Sequence, residues 1–153
     1  MAAFQFKFES VLNHRRTIED QAQRELARHM RTRMILQGQL EQMQSTIRQS
    51  KNDLADALVG KVDLDRVSGF AQFNGHTAVR ARQLVEHMTK AEKQITEARQ
   101  RLLDATRQRQ AMELLRDRHQ RTWKQEHKRR ETITMDELAT QQYLRRETVG
   151  GRP

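Results

Sequence analysis

The chain has 153 residues, of which 35% are hydrophobic, 5% aromatic and 32% charged, and it carries a net charge of +9. That apolar supply is too thin for an ordinary globular core, which draws on about half of the residues. It leaves either disorder or a coiled coil, which buries a narrow seam and solvates the rest. The absence of cysteine excludes disulfides and thiolate chemistry. The only proline is Pro153, so no proline interrupts the residues before it.

The first predicted element is a helix over about 6–59. Alternating steps of four and three from Phe8 reach Leu12, Arg15, Glu19, Ala22, Leu26, His29, Arg33, Leu36, Leu40, Met43, Ile47, Ser50, Leu54 and Ala57, and most of these are apolar. This is the period of a helix that turns one stripe toward a partner. Val11, Ile18, Met30 and Met34 lie beside that line and are expected to broaden it. Residues 60–75, GKVDLDRVSGFAQFNG, contain Gly60, Gly69, Asn74 and Gly75 and break the frame, which predicts a reversal there. Asp63 or Asp65 can cap a helix start, and a short helical piece from Leu64 to Phe73 fits inside the reversal. The second helix is predicted over about 76–147, where Leu84, Met88, Ala91, Ile95, Ala98, Leu102 and Ala105 are consecutive apolar seam positions. The frame turns polar through Arg109, Met112, Arg116, His119 and Trp123. Residues 148–153, ending in GGRP, are expected to form a disordered tail.

Two helices with matching seams joined by a short link predict an all-α fold, a long antiparallel two-helix coiled-coil hairpin occupying residues 1–150 as one domain. Two parallel helices from two chains are the structural alternative. The seam is expected to be tightest near the tip, from Leu36 to Ala57 and from Leu84 to Ala105, and looser toward the termini. A turn centred at 65–70 places Glu19 within pairing distance of Arg116 or His119.

No enzyme constellation is present. Gly60-Lys61 lacks the glycines and the hydroxyl residue of a phosphate loop, and serines 10, 45, 50 and 68 have no glycine-framed elbow. The histidines, His14, His29, His76, His87, His119 and His127, never repeat at the four-residue spacing of helical zinc ligands. No catalytic residue, cofactor or metal is expected. Two features remain as candidate binding sites. Residues 99–130 hold 11 basic and 4 acidic groups, so +7 of the net +9 lies there. Within it Arg116, Arg118, Arg121, Lys124, Lys128, Arg129 and Arg130 form a segment suited to an acidic protein, an acidic lipid surface or nucleic acid; the plainer reading is a solvated helix face. Phe70 and Phe73, three residues apart, either staple the tip onto the helices or present an apolar anchor to a partner.

The stretch FKFESVLNHRRTIEDQAQRELA at 6–27 resembles the opening of the flagellar export proteins of the FliJ family. ETITMDELATQQYLRRE at 131–147, with MDELA at 135–139, resembles that family's ending. The hairpin lengths, the aromatic-bearing tip and the arginine- and glutamine-rich second helix are similar as well, so the resemblance covers nearly the whole chain. It implies a two-helix coiled coil shaped like the stalk subunit of rotary ATP synthases, in the cytoplasm and peripheral to the inner face of the cell membrane through the type III export apparatus. The partners it implies are the ring-forming export ATPase and its regulator, the export gate protein at the membrane, and substrate-free export chaperones. On this resemblance Phe70 and Phe73 fall where the gate is touched, although Thr77 one turn later replaces a bulkier apolar anchor. The basic segment is then expected to meet an acidic part of the ATPase ring. Nucleic acid and direct membrane insertion are not expected: the N-terminus lacks the basic start and apolar run of a signal peptide, and no apolar run is long enough to span a bilayer. The stalk protein of a virulence injectisome, which shares this architecture, and a basic coiled coil that binds nucleic acid are the alternative readings.

Overall fold

The computed structural model describes residues 3–150, the last four by backbone alone. The chain is an all-α antiparallel hairpin of two helices packed on each other, α1 (Glu9–Ala57) and α2 (Leu64–Gly150). No strand occurs among the described residues. Several threonines inside the helices donate a hydrogen bond from the hydroxyl to the carbonyl four residues back, as Thr46 does to Gln42 and Thr96 to Glu92, so their side chains are satisfied within the helix.

The reversal is much shorter than 60–75. α1 ends at Ala57, and Gly60 takes a φ of 90°, the left-handed conformation that glycine adopts without a Cβ penalty. Asp63 then caps α2: its Oδ1 accepts from the backbone N–H of Asp65 at 3.0 Å and of Arg66 at 3.4 Å. Asp65 sits in the first turn, where the helix dipole favours a carboxylate. The short helical piece foreseen from Leu64 is therefore the true start of α2, which does not wait for residue 76. Gly69, Asn74 and Gly75 lie inside the helix and off its packed stripe, which runs on through Val67, Phe70, Phe73, Thr77, Ala81 and Leu84 in steps of three and four. At the other end α2 continues through Gly150, into the segment expected as a tail; residues 151–153 lie outside the described residues.

The shorter turn moves the register. Arg33 and Glu92, which pair at 2.6 Å, stand equidistant in sequence from the Val62–Asp63 bond, and so do Glu9 and Arg116, which pair at 3.7 Å. The expected pairing of Glu19 with Arg116 or His119 is consequently not found. Arg116 pairs with Glu9, and the His119 ring packs on Phe6. The misplacement is about three helical turns, and its cause is the assumption that the glycines at 69 and 75 mark the turn.

Two compact units are distinguished. In the first, Ile18–Ala105, the buried core is Ala22, Ala57, Leu84, Ala91, Ile95, Ala98 and Ala105, with Glu19 buried among them. All belong to the heptad frames. Packing is tightest along Leu84–Ala105, where alternating alanines let the backbones approach. Leu36, Leu40, Met43, Ile47 and Leu54 are only half-buried, so the expected tightness of α1 near the tip is not realised. The facing positions carry Phe70 and Phe73, and clefts of about 510 and 210 Å³ lie beside those rings. Of the residues expected to broaden the stripe, Ile18 is half-buried, while Met30 and Met34 are exposed.

The second unit joins the chain up to Thr17 with the chain from Thr106 onward. Phe6 and Leu12 are its buried apolar side chains. Phe6, not Phe8, opens the seam.

Candidate partner-binding sites

Consider first the tip, within Ile18–Ala105. The half-buried Phe70 and Phe73 line the larger cleft together with Ser50, Leu54 and Ala57, and Asp53, Asp56 and Arg66 stand around it. Phe73 also borders the smaller cleft with Met43, Thr77 and Leu84. Both rings thus face α1 across the seam, the arrangement in which they staple the tip, while an open cleft keeps part of each accessible. What the tip exposes most is a different set of side chains. Leu58, Val59, Val62 and Leu64 surround the turn, with Val59 80% and Leu64 78% exposed. Sequence reasoning missed these four. Their signal is present as apolar residues at a reversal, where no seam exists to receive them, but a reversal expected over 60–75 leaves Leu58 and Val59 in the first helix and places Val62 and Leu64 inside the turn.

The open end, in the second unit, is built differently. Residues 3–6 run without helix, and Lys7-Phe8 turn into α1, with the Glu9 N–H donating to the Phe6 carbonyl at 3.1 Å. This segment lies along α2 through its rings. Phe6 stacks edge-on against His119 at 5.6 Å, Phe4 lies 6.0 Å from Trp123, and Trp123 lies 5.1 Å from His127. Polar contacts continue the junction: Arg15 donates to Gln108 at 2.6 Å, and Arg16 pairs with Glu113 at 3.2 Å.

These contacts divide the basic segment. Arg116 is half-buried and braced to Glu9. Arg118, Arg121, Lys124, Lys128, Arg129 and Arg130 are exposed, and among the described residues none of the six holds an ion pair. Arg121, Lys124 and Lys128 follow one another at three- and four-residue spacing, which puts them on one helix face. Beyond them residues 131–146 are exposed throughout, including the apolar side chains of Ile133, Met135, Leu138, Tyr143 and Leu144.

Among the described residues no group of three or more His, Cys, Asp or Glu side chains is placed to hold a metal ion. The clefts are open grooves between two helices and cannot desolvate an acid–base pair. No helix among the described residues is long and apolar enough to cross a membrane. What the geometry offers is surface: an apolar rim around the tip, and at the open end a run of unpaired cations followed by exposed apolar side chains.

A family model described as the flagellar FliJ protein matches residues 4–148. No curated protein and no solved structure matches the chain.

Proposed function

The chain belongs to the flagellar FliJ family, whose members are flagellar export proteins, and on that premise we propose that it is a non-enzymatic coiled-coil stalk of the export apparatus. In this reading the open end docks on the ring of the export ATPase, the tip meets the export gate at the membrane, and the protein escorts export chaperones. It works in the cytoplasm, held at the inner face of the membrane through those partners. The family match favours the flagellar over the injectisome reading.

The observation that carries this reading is the division of the basic segment. Six neighbouring cations without carboxylate partners leave a strong positive field that no internal packing uses. Such a field steers and holds an acidic protein surface, and the apolar side chains of 131–146 add area that charge alone lacks. For the tip, support comes from the exposed rim of Leu58, Val59, Val62 and Leu64, with Phe70 and Phe73 behind it. Apolar side chains clustered on an otherwise charged surface mark a contact surface.

Reversal of Arg121, Lys124, Lys128 and Arg129 to glutamate together tests the open end. Ring assembly and ATP hydrolysis by the partner ATPase are measured with and without the variant. Stimulation should fall by an order of magnitude or more; unchanged stimulation defeats the reading. Single reversals are a poor test, because individual exposed charges contribute little.

A further inference from the structure

α1 carries a surface that neither the tip nor the open end uses. Met30, Met34 and Ile35 are exposed on the outside of the hairpin, Met34 by 69% and Ile35 by 63%. They lie well away from the turn and the aromatic junction in sequence, in the tightly packed middle of the unit Ile18–Ala105. The inward positions at this level are Leu26, His29 and Leu36, all half-buried, so Met30, Met34 and Ile35 are not needed to fill the seam.

Three arginines stand beside them. Arg24, Arg28 and Arg31 are spaced four and three apart, so they form one row along the helix, and Ile35 continues that row four residues later. Met30 and Met34 form the adjacent row. All three arginines are exposed, and among the described residues none holds an ion pair. The neighbouring charges are spoken for. Glu25 pairs with Arg101 at 2.7 Å and lies 3.8 Å from His29, while Arg33 pairs with Glu92 at 2.6 Å. Between residues 21 and 40 no other carboxylate is present. The face is therefore a basic row beside an apolar row, on a rigid helix.

Small residues at both ends of the apolar row, Ala27 and Gly38, lower the surface there, and a side chain at Gly38 would meet nothing within 4 Å. Bulky side chains between low points form the ridge-and-groove relief into which a second helix settles. Methionine suits such a contact, because its flexible thioether adapts to the shape it meets.

We propose that Arg24, Arg28, Arg31, Met30, Met34 and Ile35 form a lateral docking face for an acidic amphipathic helix of a partner protein. The complementarity is direct: such a helix carries an apolar stripe flanked by carboxylates, the inverse of this surface. The inference does not depend on the flagellar assignment, and it adds a third contact to the two at the ends.

The test uses the full chain and a labelled synthetic helix of about 20 residues, with leucines at one face, glutamates along its flanks, and a scrambled peptide of the same composition as control. Binding is read by fluorescence anisotropy at physiological ionic strength. The amphipathic peptide should bind and the scrambled one should not. Arg24→Glu, Arg28→Glu and Arg31→Glu together should weaken binding by about tenfold or more. Met34→Gln with Ile35→Gln should weaken it as well, with helicity and melting temperature unchanged, since both side chains are exposed. Reversal of Arg121, Lys124, Lys128 and Arg129 should leave it within about twofold. Equal binding of both peptides, or loss that follows the 121–129 reversal instead, overturns the proposal. So does binding of phosphatidylglycerol-containing vesicles that is lost in the Met34 and Ile35 variant, which makes a lipid surface the occupant.

Discussion

The two packed units solve the same problem, holding α1 against α2, by different means. In Ile18–Ala105 the seam is aliphatic and regular, with Ala91, Ile95, Ala98 and Ala105 buried at heptad spacing and ion pairs outside it. In the unit built from the chain up to Thr17 and from Thr106 onward, aromatic rings and polar side chains replace the ladder: Phe6 on His119, Phe4 on Trp123, Arg16 on Glu113. The aliphatic seam draws its stability from area removed from water and from close backbone approach. The junction at the open end relies on a short non-helical segment whose ordering costs backbone entropy. Stability and adjustability are thereby assigned to different parts of one hairpin, and local opening should begin at the junction.

The comparison breaks most readily at Ile95, which is 1% exposed. Ile95→Ala should cost about 2–4 kcal/mol, from lost burial and the cavity left behind, seen as a lower midpoint in urea with helicity retained in the native baseline. Phe6→Ala should cost less, about 1–3 kcal/mol, because the ring sits at the end of a segment that can detach. It should also change the emission of Trp123, the chain's only tryptophan, long before global unfolding. An Ile95→Ala variant whose tryptophan responds as strongly as that of Phe6→Ala would erase the distinction between the two regions. At the turn, Asp63→Ala should cost about 1 kcal/mol by removing the cap on α2, whereas Gly75→Ala should stabilise by about 0.8 kcal/mol, since the residue is helical and a Cβ there has open space. A melting temperature that falls for Gly75→Ala would show that α2 does not begin at Leu64. Smallest of all, Glu9→Gln should cost about 0.5 kcal/mol or less and lose its effect in high salt, because its pair with Arg116 is long, at 3.7 Å, and partly open to solvent.

Much of this fold was legible in the amino acids. The heptad frames from Leu12 to Ala57 and from Leu84 to Ala105 name nearly every residue that is withdrawn from water, because a two-helix seam has only one way to be narrow. Register was not legible. It depends on where the chain turns, and glycine has two meanings: Gly60 reverses the backbone, while Gly69 and Gly75 are tolerated inside a helix whose flanking seam holds it. The same confusion hid Leu58, Val59, Val62 and Leu64. At the open end the basic segment is visible as a charge run, but that Arg116 is the cation braced depends on Glu9, distant in sequence. Period alone places Met30 and Met34 beside the stripe, because it does not tell a broad face from two separate ones.

Register also fixes an order of events. Arg16 and its partner Glu113 are separated by 97 residues. Ribosomes add about 5–20 residues per second, so roughly 5–20 s pass between the synthesis of the two groups. A hairpin closes from its turn outward, since short loops cost less entropy than long ones, and the aromatic junction is therefore completed last. Throughout that interval Phe6 and Leu12 stand on the nascent chain with nothing to cover them. The residues made early in this molecule are the ones that wait longest for shelter, and a chain halted before residue 113 never supplies it.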